Sequence, residues 1–413
     1  MPGTPPVPGA GSPAAAPEPA GAGGVLPPPA SGAWRPGDPP GRRRWHRAAG
    51  PLALEAGGEL PEVRLAYETW GRLAPDGSNA VLVLHALTGD SHVAGPAGPG
   101  HPTAGWWDAL VGPGRALDTD RFFVVAPNVL GGCQGSTGPA TARPDGRPWG
   151  GAFPFLTQRD QVAAEAGLAD ALGIDRWALV VGGSMGGMRA LEWAAGRPER
   201  VGALLLLACP AAASAEQIGW ASVQLRAIRA DPAWRGGDYH GAGPGGGPHA
   251  GLGQARRLAH LTYRSEPELR ARFGRDPQRG ELPWHGGRYA VESYLDHHAD
   301  KLVRRFDAGS YVVLTEAMNA HDVGRGRGGT AAALRRVTAP ALVAGVDSDR
   351  LYPTAQQEEL AAGIPGADRT RTIHSPYGHD GFLIEVDQVA ALVGELLPPP
   401  AARRPPRGVA GSR

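Results

Sequence analysis

Five short runs of consecutive apolar residues restrict the fold of this chain more than any other feature of its sequence. They read AVLVL, FFVVA, WALVV, ALLLLA and ALVAGV, and they begin at residues 80, 122, 177, 203 and 341. Uninterrupted Val and Leu are typical of strands buried on both faces of a parallel sheet. Helical patterns lie between several runs, such as the one that starts at the candidate N-cap Thr157 and ends at Gly173. The alternation predicts an α/β fold, with a mostly parallel central sheet and helices on both faces.

One long segment interrupts this alternation. Residues 213–330 contain no strong buried-strand run, are helical in character and carry glycine-rich loops at 236–253 and 324–329. We therefore predict a core formed by 46–212 and 331–397, with a helical lid, 213–330, inserted between its two parts.

Both ends of the chain are rich in residues that oppose folding. The first 40 residues include 13 Pro and 8 Gly, so we predict that 1–45 is a disordered tail, and likewise 398–413. Order is expected from about Leu52, because an alternating pattern around a Gly-Gly turn predicts an antiparallel hairpin over Pro51–Leu73.

Charge and cysteine content argue against several classes of function. Lys plus Arg is 41 and Asp plus Glu is 40, so the formal net charge of +1 does not favour nucleic acid or an anionic membrane as a partner. The two cysteines, Cys133 and Cys209, are too few for a disulfide framework and lack the paired spacing of a zinc site. No apolar run has the ~20 residues that a bilayer span needs. We therefore predict a cytoplasmic protein.

The pentapeptide Gly182-Gly183-Ser184-Met185-Gly186 lies between a predicted strand and a predicted helix. A G-x-S-x-G sequence in this setting is typical of a sharp turn that raises a nucleophilic serine out of the sheet, with glycines where side chains would clash. The helix that follows directs free N–H groups and partial positive charge toward the serine. Ser184 is therefore the candidate nucleophile.

A serine nucleophile needs a base, and in this setting the chain order is serine, acid and then histidine. The stretch GVDSDRLYP after the last apolar run offers Asp347 and Asp349, and HSPYGHDGFL further on offers His374 and His379. His379 lies in a glycine-flanked loop and is the better candidate base, since His374 ends the apparent strand TRTIH. Spacing alone does not separate the two aspartates.

Two backbone N–H groups are candidates for stabilising an oxyanion. One belongs to Met185, directly after the serine, and the other to Leu87 in the loop HALTGD after the first apolar run. His85 in the same loop stands too early in the chain to be the base, which favours a structural role.

Seven sequence blocks, in order along 52–397, resemble the homoserine O-acetyltransferase family. They are HALTGDSHV, NVLGGCQGSTGP, GGSMGGMRALEWA, ARRLAHLTYRSEPEL, ESYLDHHADKLVRRFDAGSY, DSDRLYP and YGHDGFL. The resemblance implies an α/β-hydrolase fold with a helical lid and a homodimer paired through that lid. It also implies acetyl transfer from acetyl-CoA to the side-chain hydroxyl of L-homoserine in methionine biosynthesis, with acetyl-CoA as co-substrate, no permanently bound cofactor and no metal.

The same resemblance implies roles for individual residues of the core. Ser184 matches the family's nucleophile. Asp349, directly before the RLYP stretch, matches the family's acid, and His379 in the GHD sequence matches its base.

The resemblance further implies three substrate contacts. Arg256 and Tyr263, seven positions apart in the lid segment, match the pair that binds the homoserine carboxylate. A guanidinium suits that task because it binds a carboxylate through two parallel hydrogen bonds. Asp380 matches the aspartate that holds the substrate amino group.

Three features depart from the family pattern: the long first segment 1–40, the expanded loop GAGPGGGPHAG at 241–251, and two histidines in DHHADKL at 296–302. The Asp-His-His sequence does not predict a metal site, because adjacent residues of a helix point to different faces.

These residues predict a two-step mechanism in which Ser184 accepts the acetyl group, homoserine then removes it, and His379 moves the protons. Succinyl-CoA as donor and serine as acceptor remain alternatives within the same family. A serine esterase is a further alternative, in which water attacks the acyl-serine, although the three implied substrate contacts count against it. A non-catalytic binding protein is disfavoured by the intact serine, aspartate and histidine.

Overall fold

The computed structural model describes residues 26–397, and at its centre lies an eight-stranded sheet. Its strands are β1 (Arg44–Arg47), β2 (Arg64–Trp70), β3 (Ala80–Leu84), β4 (Phe123–Pro127), β5 (Leu179–Gly183), β6 (Leu204–Leu207), β7 (Ala341–Val346) and β8 (Thr370–Ile373). The spatial order is β1-β2-β4-β3-β5-β6-β7-β8. Strand β2 is antiparallel to both neighbours, and all other neighbouring strands are parallel. The predicted sheet is confirmed, and the five apolar runs form five adjacent strands, β3 to β7.

Helices connect these strands and cover both faces of the sheet. They are α1 (Gln158–Ala171), α2 (Met185–Gly196), α3 (Ala215–Ala230), α4 (His249–Tyr263), α5 (Glu266–Phe273), α6 (Ala290–Arg305), α7 (Ala308–Asn319), α8 (Thr330–Leu334), α9 (Thr354–Gly363), α10 (Gly381–Ile384) and α11 (Val386–Leu396). Thr157 is, as predicted, the N-cap of helix α1, and its side chain forms a capping box with Asp160. Among residues 26–397, no helix combines the length and apolar character that crossing a membrane requires.

The strands contribute alternate side chains to two apolar cores. In β3, Leu82 and Leu84 belong to the core beneath α1 and α2, whereas Val81 and Val83 belong to the core beneath α11. Because successive residues of a strand point to opposite faces, a strand covered on both faces needs apolar residues at every position. This is why uninterrupted apolar runs identified the interior strands.

The loops that follow the parallel strands meet at one edge of the sheet. Residues 85–90 follow β3, Ser184 follows β5, residues 347–349 follow β7 and residues 374–380 follow β8. In open α/β sheets, ligands bind outside the carboxyl ends of the strands. The candidate residues of the sequence analysis are therefore on the edge where a site is expected.

Six helices, α3 to α8, lie between β6 and β7. Helix α4 packs against α3 and α6, and α3 packs against α7. The Tyr311 hydroxyl donates to Gln224 Oε1 (2.6 Å), which joins α7 to α3. This helical layer is consistent with the predicted lid, whose bounds at 213 and 330 stay a prediction.

The predicted disorder of residues 1–45 is wrong for the part that the structure describes, residues 26–45. Ser31 is buried, and the Trp34 backbone N–H donates to the Cys133 carbonyl (2.9 Å). The Trp34 ring lies 5.0 Å from that of Trp45, which stands in the edge strand β1. Composition gave no sign of these contacts because the partners are distant in sequence.

Two further predictions concern the hairpin after the first predicted tail and the remaining parts of both tails. The hairpin predicted around the Gly-Gly turn is confirmed, since Leu52–Ala53 pairs antiparallel with Glu59–Leu60. Residues 1–25 of the first predicted tail and the whole of the second, 398–413, lie outside the described residues.

Asp307, at the start of α7, joins the first described segment to the lid. Its carboxylate accepts hydrogen bonds from Ser31 Oγ (2.7 Å), Tyr239 Oη (2.7 Å), His240 Nε2 (2.9 Å) and the Ser310 backbone N–H (2.8 Å). Burial by itself raises the pKa of such a carboxyl, but the hydrogen bonds from His240, Ser31 and Tyr239 outweigh burial and lower the pKa of Asp307 to about 2. Folding therefore favours the ionised form.

Replacing Asp307 with asparagine should lower the free energy of unfolding by about 2–3 kcal/mol at neutral pH. The pKa of Asp307 is lower in the folded chain than in the unfolded chain. Its contribution is therefore complete above the ordinary pKa of aspartate, about 4, and is lost as the pH falls toward about 2. Urea unfolding of both proteins at pH 7, 5, 4 and 3 measures this difference. Asp120→Asn, which changes an exposed carboxyl, is the control. A difference that stays constant down to pH 3 would contradict the assignment.

Candidate active site

Ser184 stands at the sharp turn between β5 and α2. Its backbone has φ 55° and ψ −126°, a conformation that L-residues other than glycine rarely adopt. A Cβ added to Gly182 would lie 2.3 Å from the Gly186 carbonyl oxygen, and one added to Gly186 would lie 2.0 Å from the Leu84 carbonyl oxygen. The turn therefore requires glycine on both sides of the serine, which is the physical reason for the G-x-S-x-G pattern.

His379 and Asp349 form a buried pair. Both side chains are almost inaccessible, and His379 Nδ1 lies 2.7 Å from Asp349 Oδ2. The other oxygen, Asp349 Oδ1, accepts the backbone N–H groups of Leu351 (2.8 Å) and Tyr352 (3.0 Å). The carboxylate is thus fixed from both sides. A carboxylate on Nδ1 favours the tautomer with hydrogen on that nitrogen, which leaves the Nε2 lone pair available as a base.

The alternative residues of the sequence analysis also form a pair, but at the surface. His374 Nδ1 lies 2.9 Å from Asp347 Oδ2, with side-chain exposures of 77% and 43%. Neither residue lines the cavity that contains Ser184, whereas His379 does. The structure therefore separates the two aspartates that spacing left open, since only Asp349 contacts a histidine of the cavity.

A cavity of about 380 Å³ lies between the sheet edge and the lid helices. Six of the predicted site residues line it: Ser184, His379, Leu87, Arg256, Tyr263 and Asp380. Asp349 lies behind His379, outside the lining. Met185 is also outside it, with its side chain fully buried at the first position of α2. The first N–H groups of a helix have no partner within the helix, so the Met185 N–H is available to a ligand.

His85 supports the loop that carries Leu87. Its Nδ1 lies 2.8 Å from the Ala86 carbonyl oxygen, and its Nε2 accepts the Val129 backbone N–H (3.0 Å). Burial, together with the nearby Arg189 guanidinium, lowers the pKa of His85 to about 3. Both ring nitrogens are used by the backbone and the ring stays neutral, which matches the structural role predicted for it.

The same loop is also held by a buried ion pair. Neither of its residues was predicted from the sequence. Arg189 of α2 contacts the carboxylate of Glu165 in α1, and its Nη2 donates to the His85 carbonyl (2.6 Å). Trp193 Nε1 donates to the second oxygen of Glu165 (2.8 Å). This network joins the helix after Ser184 to the loop before Leu87, so it fixes both predicted oxyanion donors relative to each other.

Arg256 reaches the cavity from α4 without an acidic partner in the described part of the chain. Its guanidinium lies 5.7 Å from the centre of the Tyr263 ring, and its Nη1 lies 3.5 Å from Thr88 Oγ1. Its Nε is buried and has no hydrogen-bond partner in the structure. An unneutralised guanidinium facing a cavity suits a carboxylate ligand.

Asp380, by contrast, already faces a cation. Its Oδ2 lies 3.4 Å from Arg264 Nε. Burial raises the pKa of Asp380, although Arg264 and the other nearby cations act in the opposite direction. Arg264 was not among the predicted site residues, and the only signal for it was its position directly after Tyr263 in the fourth family block.

Tyr352 is a second residue that sequence reasoning missed. Its ring centre lies 4.8 Å from that of His379. Burial raises the pKa of the Tyr352 phenol well above its usual value, whereas a hydrogen bond with the Ser184 side chain acts in the opposite direction. Its place three residues after Asp349, in the DSDRLYP block, was the available signal.

One group of potential metal ligands lies apart from these residues. Glu68, His92 and His101 are buried and have ligand atoms within 4.8 Å of one another. However, the rings of His92 and His101 are stacked, 3.8 Å apart and nearly parallel at 9°, so an ion cannot lie in both ring planes. His101 Nε2 also accepts the Arg42 backbone N–H (3.0 Å). The cluster therefore fits a hydrogen-bonded core rather than a metal site.

The residues of the Asp-His-His sequence at 296–298 have other contacts in the structure. Asp296 is paired with Arg257 and Arg288. The rings of His297 and His298 are 5.4 Å apart and almost perpendicular. These three residues do not form a cluster of ligands among the described residues.

The chain is similar to several known proteins. A family model described as the alpha/beta hydrolase fold matches residues 79–386. Among curated relatives, a homoserine O-acetyltransferase of Thermobifida fusca is 70% identical over 89% of this chain and 97% of its own length. One of Clavibacter michiganensis is 61% identical over 91% and 97%, and one of Mycobacterium tuberculosis is 58% identical over 84% and 91%.

Solved structures show the same fold at lower identity. A homoserine O-acetyltransferase from Bacillus anthracis has a TM-score of 0.77 and 26% identity, over 86% of this chain and 98% of that one. Esterase E22 has a TM-score of 0.78 and 25% identity, over 86% and 99%. A homoserine O-acetyltransferase and an esterase thus both have backbones similar to that of this chain.

Proposed function

The chain belongs to the homoserine O-acetyltransferase family, which has the α/β-hydrolase fold, and from this premise we propose how its residues carry out the reaction. The activity is transfer of an acetyl group to the side-chain hydroxyl of L-homoserine, a step of methionine biosynthesis. One observation carries the proposal: Ser184 and His379 of the core line the same cavity as Arg256 and Tyr263 of the lid.

In the first step, His379 Nε2 takes the proton of Ser184 as the serine oxygen attacks the thioester carbonyl of acetyl-CoA. Asp349 holds the His379 ring and stabilises its charged form. The N–H groups of Leu87 and Met185 stabilise the oxyanion. The carbon–sulfur bond then breaks, His379 returns its proton to the leaving thiolate, and CoA departs.

In the second step, homoserine enters with its carboxylate on Arg256 and Tyr263 and its amino group near Asp380. His379 removes the proton of the homoserine hydroxyl, and that oxygen attacks the acetyl carbonyl. The bond to the serine oxygen breaks, and His379 returns the proton to Ser184. A closed lid favours this acceptor over water because it positions the hydroxyl and limits the entry of solvent.

Hydrolysis is the second candidate function, and the similarity to esterase E22 favours considering it. The same serine, histidine and aspartate release acetate when water attacks the acyl-serine. The unpaired Arg256 guanidinium counts against this function, because simple hydrolysis does not need a carboxylate-binding group beside the nucleophile.

We also propose a homodimer that forms through the lid. Helix α3 exposes Ile218 (41%), Trp220 (38%) and Val223 (56%), and Trp284 in the lid is 72% exposed. Trp220 and Val223 lie one helical turn apart, and neighbouring exposed apolar residues indicate a protein interface. For the compartment we propose the cytoplasm, consistent with the two free, buried cysteines, Cys133 and Cys209.

Thiol release from the acyl donor tests the proposed function. Purified protein is mixed with acetyl-CoA or succinyl-CoA, each with L-homoserine, with L-serine or without an acceptor. Release that requires both acetyl-CoA and homoserine is the expected result. Preference for succinyl-CoA would change the assigned acyl donor, and preference for serine would change the assigned acceptor. Equal release without an acceptor would mean that water is the acceptor, and it would contradict the roles of Arg256, Tyr263 and Asp380.

A further inference from the structure

Lys301 has an unusual position in this chain. Of the 41 lysines and arginines, it is the only lysine. It lies in α6, its side chain is exposed, and it nevertheless lines the cavity that contains Ser184. An exposed side chain that also lines a cavity stands at its mouth. The only lysine of the chain is therefore at the entrance of the proposed active site.

The cavity-facing side of α6 carries positive charge without acidic partners. His298, Lys301, Leu302 and Arg305 line the cavity, at the spacing that places residues on one helix face. The Arg305 guanidinium donates to the Thr88 carbonyl (3.0 Å). Asp90 is near enough for its charge to act on Arg305, but neither Lys301 nor Arg305 has a carboxylate within ion-pair distance in residues 26–397.

The charge of the cavity exceeds what homoserine can balance. Four cationic side chains line it, Arg256, Arg264, Lys301 and Arg305, against one carboxylate, Asp380. Homoserine carries one positive and one negative group, and so leaves this excess unchanged. Of the two substrates in the proposed function, only the CoA donor brings net negative charge, and that charge lies in its phosphate groups.

We propose that Lys301, with Arg305 behind it on α6, binds the phosphate groups of the CoA donor. The inference rests on the proposed function. The phosphates are at the far end of the pantetheine arm from the thioester, so they lie toward the mouth when the thioester reaches Ser184, and Lys301 is at that mouth. A lysine ammonium binds phosphate as a compact charge on a flexible stem, which suits a group held at an open entrance.

Removing the positive charge of Lys301 should weaken the binding of acetyl-CoA and leave the binding of homoserine unchanged. Lys301→Met should raise KM for acetyl-CoA about three- to tenfold and make that KM less sensitive to salt. KM for homoserine, and KM for the phosphate-free donor S-acetylpantetheine, should not change. Lys301→Arg should restore most of the affinity for acetyl-CoA. Arg304→Met is the matched control, because Arg304 is on the same helix, is exposed and donates to the Leu26 carbonyl outside the cavity.

Because Lys301 is the only lysine, chemical labelling tests the same contact without turnover. Reductive methylation modifies two amines, Lys301 and the amino terminus, and mass spectrometry measures each rate. Desulfo-coenzyme A should slow methylation of Lys301 by about threefold or more and leave the amino terminus unaffected, since an ammonium bound to phosphate is shielded. Pantetheine should not slow either rate.

These two experiments separate failure of the phosphate contact from failure of the proposed function. Equal effects of Lys301→Met on acetyl-CoA and S-acetylpantetheine, or protection of Lys301 by pantetheine as strong as that by desulfo-coenzyme A, would overturn the proposal. If the wild-type protein releases no thiol with homoserine, the proposed function fails. Protection of Lys301 by desulfo-coenzyme A would still support the phosphate contact in that case, and its absence would refute it.

Discussion

Replacing Ser184 with alanine should reduce homoserine-dependent thiol release by about 10⁴-fold or more, with little change in KM for either substrate. The change removes the only atom that can carry the acetyl group between donor and acceptor, while the cavity and its charges remain. Initial rates measured with acetyl-CoA and L-homoserine provide the test. Intact-mass spectrometry after mixing with acetyl-CoA alone should show one added acetyl group on the wild-type protein and none on the variant.

The stability of this variant is its control. Alanine and serine meet the same steric penalty at the positive φ of residue 184, so the midpoint of thermal unfolding should stay close to that of the wild type. An alanine variant that folds normally and still transfers acetyl to homoserine at a rate within about tenfold of the wild type would show that Ser184 is not the nucleophile.

Replacing Asp349 with asparagine should lower kcat by about 10³- to 10⁴-fold. The amide cannot stabilise the charged ring, and it can hold His379 in the tautomer whose Nε2 carries hydrogen and cannot act as a base. The backbone N–H groups of Leu351 and Tyr352, which now donate to Asp349 Oδ1, can still donate to the amide oxygen, so the loop should keep its conformation. Steady-state kinetics and circular dichroism of the variant measure both effects.

The chain supplies a matched control for this substitution. Asp347 is two residues away and contacts His374 through the same pair of atoms, at 2.9 Å instead of 2.7 Å. The Asp347–His374 pair is exposed and outside the cavity, so Asp347→Asn should change kcat less than about twofold. A large loss of activity in Asp347→Asn with a small loss in Asp349→Asn would exchange the roles of the two aspartates.

The parts of the structure that the sequence predicted well are those encoded locally. The interior strands were recognisable because a strand buried on both faces must be apolar at every position, and Ser184 because its turn admits only glycine at the flanking positions. His379 was recognisable by its place in a glycine-flanked loop. The choice of Asp349 over Asp347 required the family resemblance, and in the structure it corresponds to a difference in burial rather than in spacing.

The features that were missed depend on contacts between distant segments. Glu165 and Arg189 resemble surface residues of two helices until the sheet brings those helices together around Trp193. Arg264 is one of many arginines, and only the approach of α4 to the loop after β8 places it beside Asp380. Pattern and composition contain no information about such pairings, since either partner alone is unremarkable in the sequence.

The contacts of the first described segment change how the lid can move. An inserted domain is ordinarily attached to its host at two points, where the chain enters and where it leaves, and those points define a hinge axis. Here Ser31 hydrogen-bonds to Asp307, and the Gly32 N–H donates to the Phe306 carbonyl (3.2 Å), while β1 of the same segment is fixed to the edge of the sheet. This attachment adds to the two chain connections, so a rigid-body swing of the predicted lid about those connections would have to break these hydrogen bonds. We therefore expect substrates to enter through movements of side chains and loops at the mouth of the cavity.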